Sequence, residues 1–530
     1  MKKFLALLLA LIMILGLAAC GQKAPEVAPE ATPAPEAAPE AAPEATPEAT
    51  PEADPHAEEV DLTLVLMDRS QNVGQDEILQ LAADYAKEKL NINLSFNLIT
   101  DSNDMGTIFA TGSGWDLGYC NAGIFQNLAA RNAFLDLAPY MEQGYLSYAQ
   151  EMLTPEQIAA FQVNGKQAGL APYKDLMEGW NFMYNSTVIE DELGIEVPTE
   201  WQSFHDLLPF FYEVKDGLKA AGKDIVPGGP GTNLLAAWYQ ADYMVGWYNE
   251  ALAVTNVNGL PGYDDIDENT VYCPVFTEDF AELIKLRAKL VEDGIIYGYK
   301  TDSGDGRSFE NGDWLWTSGQ GLLEWQNPSE LYDTKMINQS KAYGYTAYVQ
   351  AISLVVNANC EHPERAVELL DLMYSDEYWC TLMRCGVEGL DWEDANNDGV
   401  IEWIGRSSAP ANDDKYWRAW YGNGHAHSLA TGKLDASVTD REVFLQALSD
   451  LNHKGVVSPH TGFTFDQTPV VNEITACTAI MNEYTQMLIY PLSMTDIDAT
   501  IEECRQKLLD NGIEKIIAEV QAQLDAFHAA

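Results

Sequence analysis

The sequence predicts an α/β protein with a parallel sheet, and three observations carry that prediction. Val60–Met67 alternates toward a buried strand, and Glu77–Leu90 then repeats apolar residues at helical spacing, with Ile78, Leu81, Ala82, Tyr85 and Ala86 on one face. Ile92–Leu98 returns to strand alternation, and a strand–helix–strand order implies a parallel pair with covered faces. The chain is also 47% hydrophobic and 21% charged over 530 residues, which allows two or three domains with real cores. In such sheets ligands bind where the loops open at the carboxyl ends of the strands.

Each segment can be justified in order. Lys2 and Lys3 precede the apolar run Phe4–Ala19, which is short of the roughly 20 residues that cross a bilayer as a helix. A basic start, a short apolar centre and small residues before a cut site describe a secretory signal over residues 1–19. Leu17-Ala-Ala-Cys20-Gly21 resembles the bacterial lipobox. The resemblance implies a thioether lipid on Cys20, a further acyl chain such as palmitate on its amine, and retention on the outer face of the cell membrane. Residues 20–59 hold this cysteine and a repeat of Pro, Glu, Ala and Thr with no aromatic residue. Such a stretch cannot bury enough surface to offset its ordering entropy and reads as a disordered spacer.

The globular remainder begins at about Val60. With 81 acidic and 30 basic residues the chain carries a formal charge of −51, which repels phosphate backbones and excludes nucleic acid as a partner. Apart from Cys20, seven cysteines remain, an odd number with no C-x-x-C pair. That pattern fits buried thiols better than a disulfide framework or a zinc ribbon.

Four stretches then resemble the extracellular solute-binding proteins of ABC importers, in that family's order. They are Phe109–Asn121 with Phe125–Leu137, Asn164–Tyr173 running on through Asn181–Asn185 to Val197–Trp201, Phe309–Asp313, and Asn357–Ala366 with Leu369 and Leu370. Cys385–Trp392, the turn at Asn396–Gly399 and the tail Thr495–Phe527 resemble the LipO-type subfamily. Gly118 and Cys120 stand where bulkier strand residues are usual, and Gly123 stands where maltose-binding relatives carry a ligand-contacting acid. The resemblance implies a two-lobe, periplasmic-binding-protein-like type II fold with an interlobe cleft. It places the N-lobe at 60–174 plus 349–424 and the C-lobe at 175–348 plus 425–530. It further implies a monomer that captures a small solute, an oligosaccharide, and delivers it to importer permease subunits without cofactor or turnover.

Loops after strands supply the expected solute contacts: Asp68 and Arg69, then Asn121 with Phe125. Asp175 and Trp180 lie beside the first lobe crossing. Asn233 and Trp238 fit the place where maltose-binding relatives begin an aromatic helix, and Trp417 and Trp420 belong to an aromatic cluster near a crossing. Faces of Trp and Tyr stack on sugar C–H groups, and 13 Trp and 25 Tyr favour an oligosaccharide.

Asp394, Asn396, Asp398 and Glu402 match the first half of a calcium loop, but the twelfth position is Gly405 where a bidentate Glu is needed. A β-hairpin turning at Asp398-Gly399 is the favoured reading. Two other classes stay open at this stage: a surface glycan-active hydrolase, and an adhesion or sensory lipoprotein that keeps the fold. Against the hydrolase, no G-x-S-x-G or H-E-x-x-H motif is present.

Overall fold

In the computed structural model the described residues are 55–67, 74–99, 102–200, 204–229, 239–298, 309, 311–320, 331–338, 340–405, 430–434, 440–488 and 496–529. Residues 55–530 form one compact unit. Cys20, Asp68, Arg69, Asn233, Trp238, Trp417 and Trp420 lie outside the described residues.

The unit has two lobes, each with its own buried core. The first lobe is built on a four-stranded sheet in the order Ser353–Val356, Leu117–Cys120, Val60–Met67, Ile92–Ile99. The last three are parallel and the first is antiparallel. Leu62, Leu64, Val65 and Leu66 are almost fully buried. The connecting helix Gln75–Leu90 buries Ile78, Leu79, Ala82 and Ala86 against the sheet side. It carries Asp76 and Glu77 in its first turn and Lys87 and Lys89 in its last, signs that complement the helix dipole. Gly118 is required by contact: a Cβ there would stand 2.9 Å from both the Cβ and the carbonyl oxygen of Val65. That close approach explains the small residue in this strand.

The second lobe differs in kind. Its sheet is antiparallel, with Trp180–Asn185 between Thr334–Asn338 and Trp316–Gln320. A hairpin of Ala241–Val245 and Ala253–Asn256 lies beside it in the chain order. Helices Leu208–Ala220 and Glu278–Glu292 cover this core, joined by the final three helices Val471–Leu488, Ile497–Asp510 and Ile513–Ala529. Cys477, Cys504, Ile516, Val520 and Leu524 are buried there.

Within the stretch 425–530 expected in the second lobe, Leu434, Phe444 and Leu448 are buried in the first core. The helix Arg441–Lys454 therefore belongs with the first lobe through its apolar face, and the last crossing follows it. Of the seven described cysteines, six are buried.

Candidate functional site

Three chain segments cross between the lobes side by side, and their backbone bonds are explicit. Glu178 N donates to Tyr343 O at 2.7 Å and Tyr343 N donates back to Glu178 O at 2.9 Å. Tyr343–Gly344 then pairs in parallel with Val456–Val457, through Val456 N to Ala342 O at 2.9 Å and Ser458 N to Gly344 O at 2.8 Å. Asn452, fully buried, ties the first crossing to the third. Its Nδ2 donates to Lys174 O at 2.7 Å and its Oδ1 accepts from Leu176 N at 2.8 Å. A Cβ at Gly344 would press on the thioether of Met177, which would have to shift.

Glu178 is the hub of this junction. It is fully buried, and among the described residues neutral hydroxyl and indole groups donate to its carboxylate. Tyr345 OH donates to its Oε2 at 2.6 Å, and Trp180 Nε1 and Tyr248 OH donate to its Oε1 at 2.7 and 3.0 Å. Burial pushes the carboxyl up from the usual range, against the downward pull of these hydrogen bonds. The donors come from the first crossing, the second crossing and the second-lobe hairpin, so one carboxylate holds three elements. Tyr248 sits at φ 44°, a left-handed backbone that a tyrosine adopts only when its surroundings impose it.

Rings surround the hub. Tyr243 stacks on Trp247 at 6.1 Å between centroids and meets Tyr345 at 5.7 Å, while Tyr343 stacks on Tyr345 at 5.3 Å. Trp247 and Tyr248 are half-buried and the other three are buried. From the first lobe, Gln126 Nε2 donates to Gln350 Oε1 at 2.8 Å. A small cavity lies among Gln126, Asp242, Met244, Thr346, His460 and Phe463, so both lobes contribute to its wall. Of these rings the half-buried Trp247 and Tyr248 keep surface that can stack on the C–H face of a polyhydroxylated solute.

The described sequence-predicted residues fall in several places. Asn121 is exposed at the first-lobe edge and caps the helix Ala122–Ala129, its Oδ1 accepting from Ile124 N at 3.0 Å. Phe125, expected as a solute contact, is a core residue: it is fully buried and stacks on Phe134 at 5.7 Å. Asp175 is buried in an ion pair with Lys174 at 2.9 Å. Trp180 is buried, its indole turned to Glu178. Glu178, Tyr345 and Asn452 were missed; the aromatic spacing Tyr343-x-Tyr345-x-x-Tyr348 was the available signal.

The acidic loop folds as a hairpin, Trp392–Glu393 pairing with Glu402–Trp403. Asp394 accepts from Asp398 N and Gly399 N, both at 3.1 Å, and from Lys433 Nζ at 2.8 Å. Burial pushes its carboxyl up, yet the Lys433 ammonium and the Gly399 amide together hold it below the usual carboxylate range. Lysine thus supplies the positive charge in this loop. Among the described residues no three metal-ligating side chains gather. Ser458, Asp242 and His460 also meet without forming a triad. Ser458 Oγ donates to Asp242 at 2.5 Å, but His460 offers Ser458 only its backbone N–H.

A family model described as bacterial extracellular solute-binding protein matches residues 71–378. A second model, described as a domain of unknown function (DUF3502), matches residues 459–529. A carbohydrate ABC transporter substrate-binding protein of Streptococcus pneumoniae serotype 4 is 24% identical over 480 residues, covering 87% of this chain and 89% of that protein. The N-glycan transport solute binding protein NgtS of Streptococcus pneumoniae superimposes with a TM-score of 0.71 at 20% identity, over 89% of this chain and 99% of that one. The same protein in complex with Man5GlcNAc gives 0.65 at 21% identity, over 89% and 98%. At these identities the likeness to solved structures shows a shared fold.

Proposed function

The chain belongs to the bacterial extracellular solute-binding proteins, and from that premise we propose that it captures an oligosaccharide between its lobes and delivers it to an ABC importer. The observation that carries this reading is the junction of three paired crossings between two separately cored lobes, with the half-buried rings of Trp247 and Tyr248 beside it. Support for a carbohydrate comes from the printed names of similar proteins, one a carbohydrate transporter component and one solved with a mannose–N-acetylglucosamine glycan. Solute favours the closed arrangement by its differential affinity for it. The rings of Trp238, Trp417 and Trp420, with Asp68, Arg69, Asn121 and Asn233, are the proposed solute contacts beyond the junction.

The chain is held by lipid on Cys20 at the outer face of the membrane, where the spacer lets the folded unit meet permease subunits. It acts as a monomer and performs no turnover. Among the described residues no helix is long and apolar enough to cross a membrane, so Cys20→Ser is expected to release the processed protein from the membrane fraction. A thermal-shift panel of Man5GlcNAc, other oligosaccharides, peptides and polyols tests the solute class. A rise with an oligosaccharide is expected, about 2.7 kcal/mol at 100 times the dissociation constant. A rise with peptides alone would move the protein to another solute class, and released product from a bound glycan would favour the hydrolase.

A further inference from the structure

The segment 459–529, matched by a family model described as a domain of unknown function, ends in the helix Ile513–Ala529. Gln521 Oε1 accepts from Val271 N at 2.8 Å and its Nε2 donates to Asn269 O at 3.0 Å. Gln523 clamps Asp466 in the same two-sided way, at 2.9 Å from its N and 3.0 Å to its O. One turn later, Phe527 meets Phe463 edge-on at 5.7 Å, and His528 Nε2 lies 2.8 Å from His460 Nδ1. His460 is buried and its Nε2 lies 2.8 Å from Glu268 O.

The protons of the histidine pair follow from the acceptors. A carbonyl only accepts, so His460 Nε2 carries a hydrogen for Glu268 O. In the neutral ring Nδ1 is then an acceptor, and His528 Nε2–H is the donor. His460 itself stands just beyond the third crossing. Its backbone oxygen accepts from Thr346 Oγ1 of the second crossing at 3.3 Å, and Thr346 Oγ1 in turn accepts from Gly462 N at 2.8 Å. Its ring lines the cavity shared with Gln126 of the first lobe.

We propose that the C-terminal segment is a hinge brace: its last helix grips the exit of the third crossing through His528 and His460 and so sets how freely the lobes turn. The brace assigns a role to the region of unknown function. It rests on the two-lobe reading but not on the identity of the solute. Only the final turn is needed for the grip, since Ile513, Ile516, Val520 and Leu524 already anchor the helix in the second core.

Hydrogen exchange of the unliganded full chain tests it, comparing the wild type with His528→Ala and His528→Gln. His528 is exposed, so neither substitution removes core packing. In His528→Ala, peptides spanning 453–463 are expected to exchange about fivefold faster, the worth of one hydrogen bond. Peptides spanning 60–67 and 278–290 are expected to stay unchanged. In His528→Gln, whose amide can donate to His460 Nδ1, the protection is expected to return. Spin labels on Glu88→Cys and Lys219→Cys, exposed in the first and second lobes, should give a broader interlobe distance distribution in His528→Ala than in wild type. Unchanged exchange at 453–463, a uniform rise over both lobes, or an unaltered distance distribution would each overturn the brace. Because no solute is added, a failure here leaves the oligosaccharide reading standing, and a failure of that reading leaves this test intact.

Discussion

Replacing Asn452 by alanine removes the side chain that ties the first crossing to the third, and its cost can be worked from the structure. Two buried backbone groups lose their partners, the Lys174 carbonyl at 2.7 Å and the Leu176 amide at 2.8 Å. Each such orphan costs about 1–3 kcal/mol, and water cannot easily replace the amide because Asn452 is fully buried. The expected loss is therefore about 2–6 kcal/mol. For a cooperative unit spanning 55–530 the entropy of unfolding is large, so the melting temperature should fall by only about 1 °C per kcal/mol. Urea unfolding followed by tryptophan fluorescence is the better assay, with the exposed Lys219→Ala as a control expected within about 0.5 kcal/mol of wild type. Asn452→Asp should be worse than alanine, since it retains the acceptor for Leu176 N but sets a buried carboxylate against the Lys174 carbonyl. An Asn452→Ala protein within about 0.5 kcal/mol of wild type would refute the claim that this residue joins the crossings.

Three further outcomes are expected. Glu178 has a folded value raised by burial, so the stability it contributes is fully present below the ordinary glutamate value and is lost as pH rises through the folded value. Glu178→Gln should therefore show a flatter dependence of urea stability as pH rises above the ordinary glutamate value, and an unchanged profile would remove Glu178 as a titrating hub. Lys433→Met should destabilise by about 2–4 kcal/mol by stripping the buried Asp394 of its cation, whereas calcium should leave the wild-type melting temperature where it is; a calcium-dependent rise would restore the metal-loop reading. Gly118→Ala should cost about 2 kcal/mol or more, because the new methyl meets the Val65 backbone, and a neutral result would show that the sheet yields there.

What the sequence made legible was local. The opening strand–helix–strand followed from alternation and helical spacing within Val60–Leu98, and no distant contact was needed to read it. Gly118 stood out as a departure, but its cause, the nearness of Val65, belongs to the folded sheet. Phe125 was misplaced by position after a strand, although its spacing from Leu128 and Ala129 already described the buried face of a helix. The helix Arg441–Lys454 could be read from Phe444 and Leu448, four residues apart, but nothing local says which of two cores they enter. The junction itself was illegible for the same reason. Glu178, Tyr343 and Val456 become neighbours only through pairing of remote segments, and Asn452 looks like any polar residue near a helix end until its partners are known.

The central claim is that an oligosaccharide is held between lobes that turn about the three crossings. Small-angle scattering on the purified protein, titrated with the glycan that raises its melting temperature most, tests this directly. The account predicts a smaller radius of gyration at saturation, following the same binding curve as the thermal shift. A glycan that saturates the protein while its dimensions stay constant would contradict it.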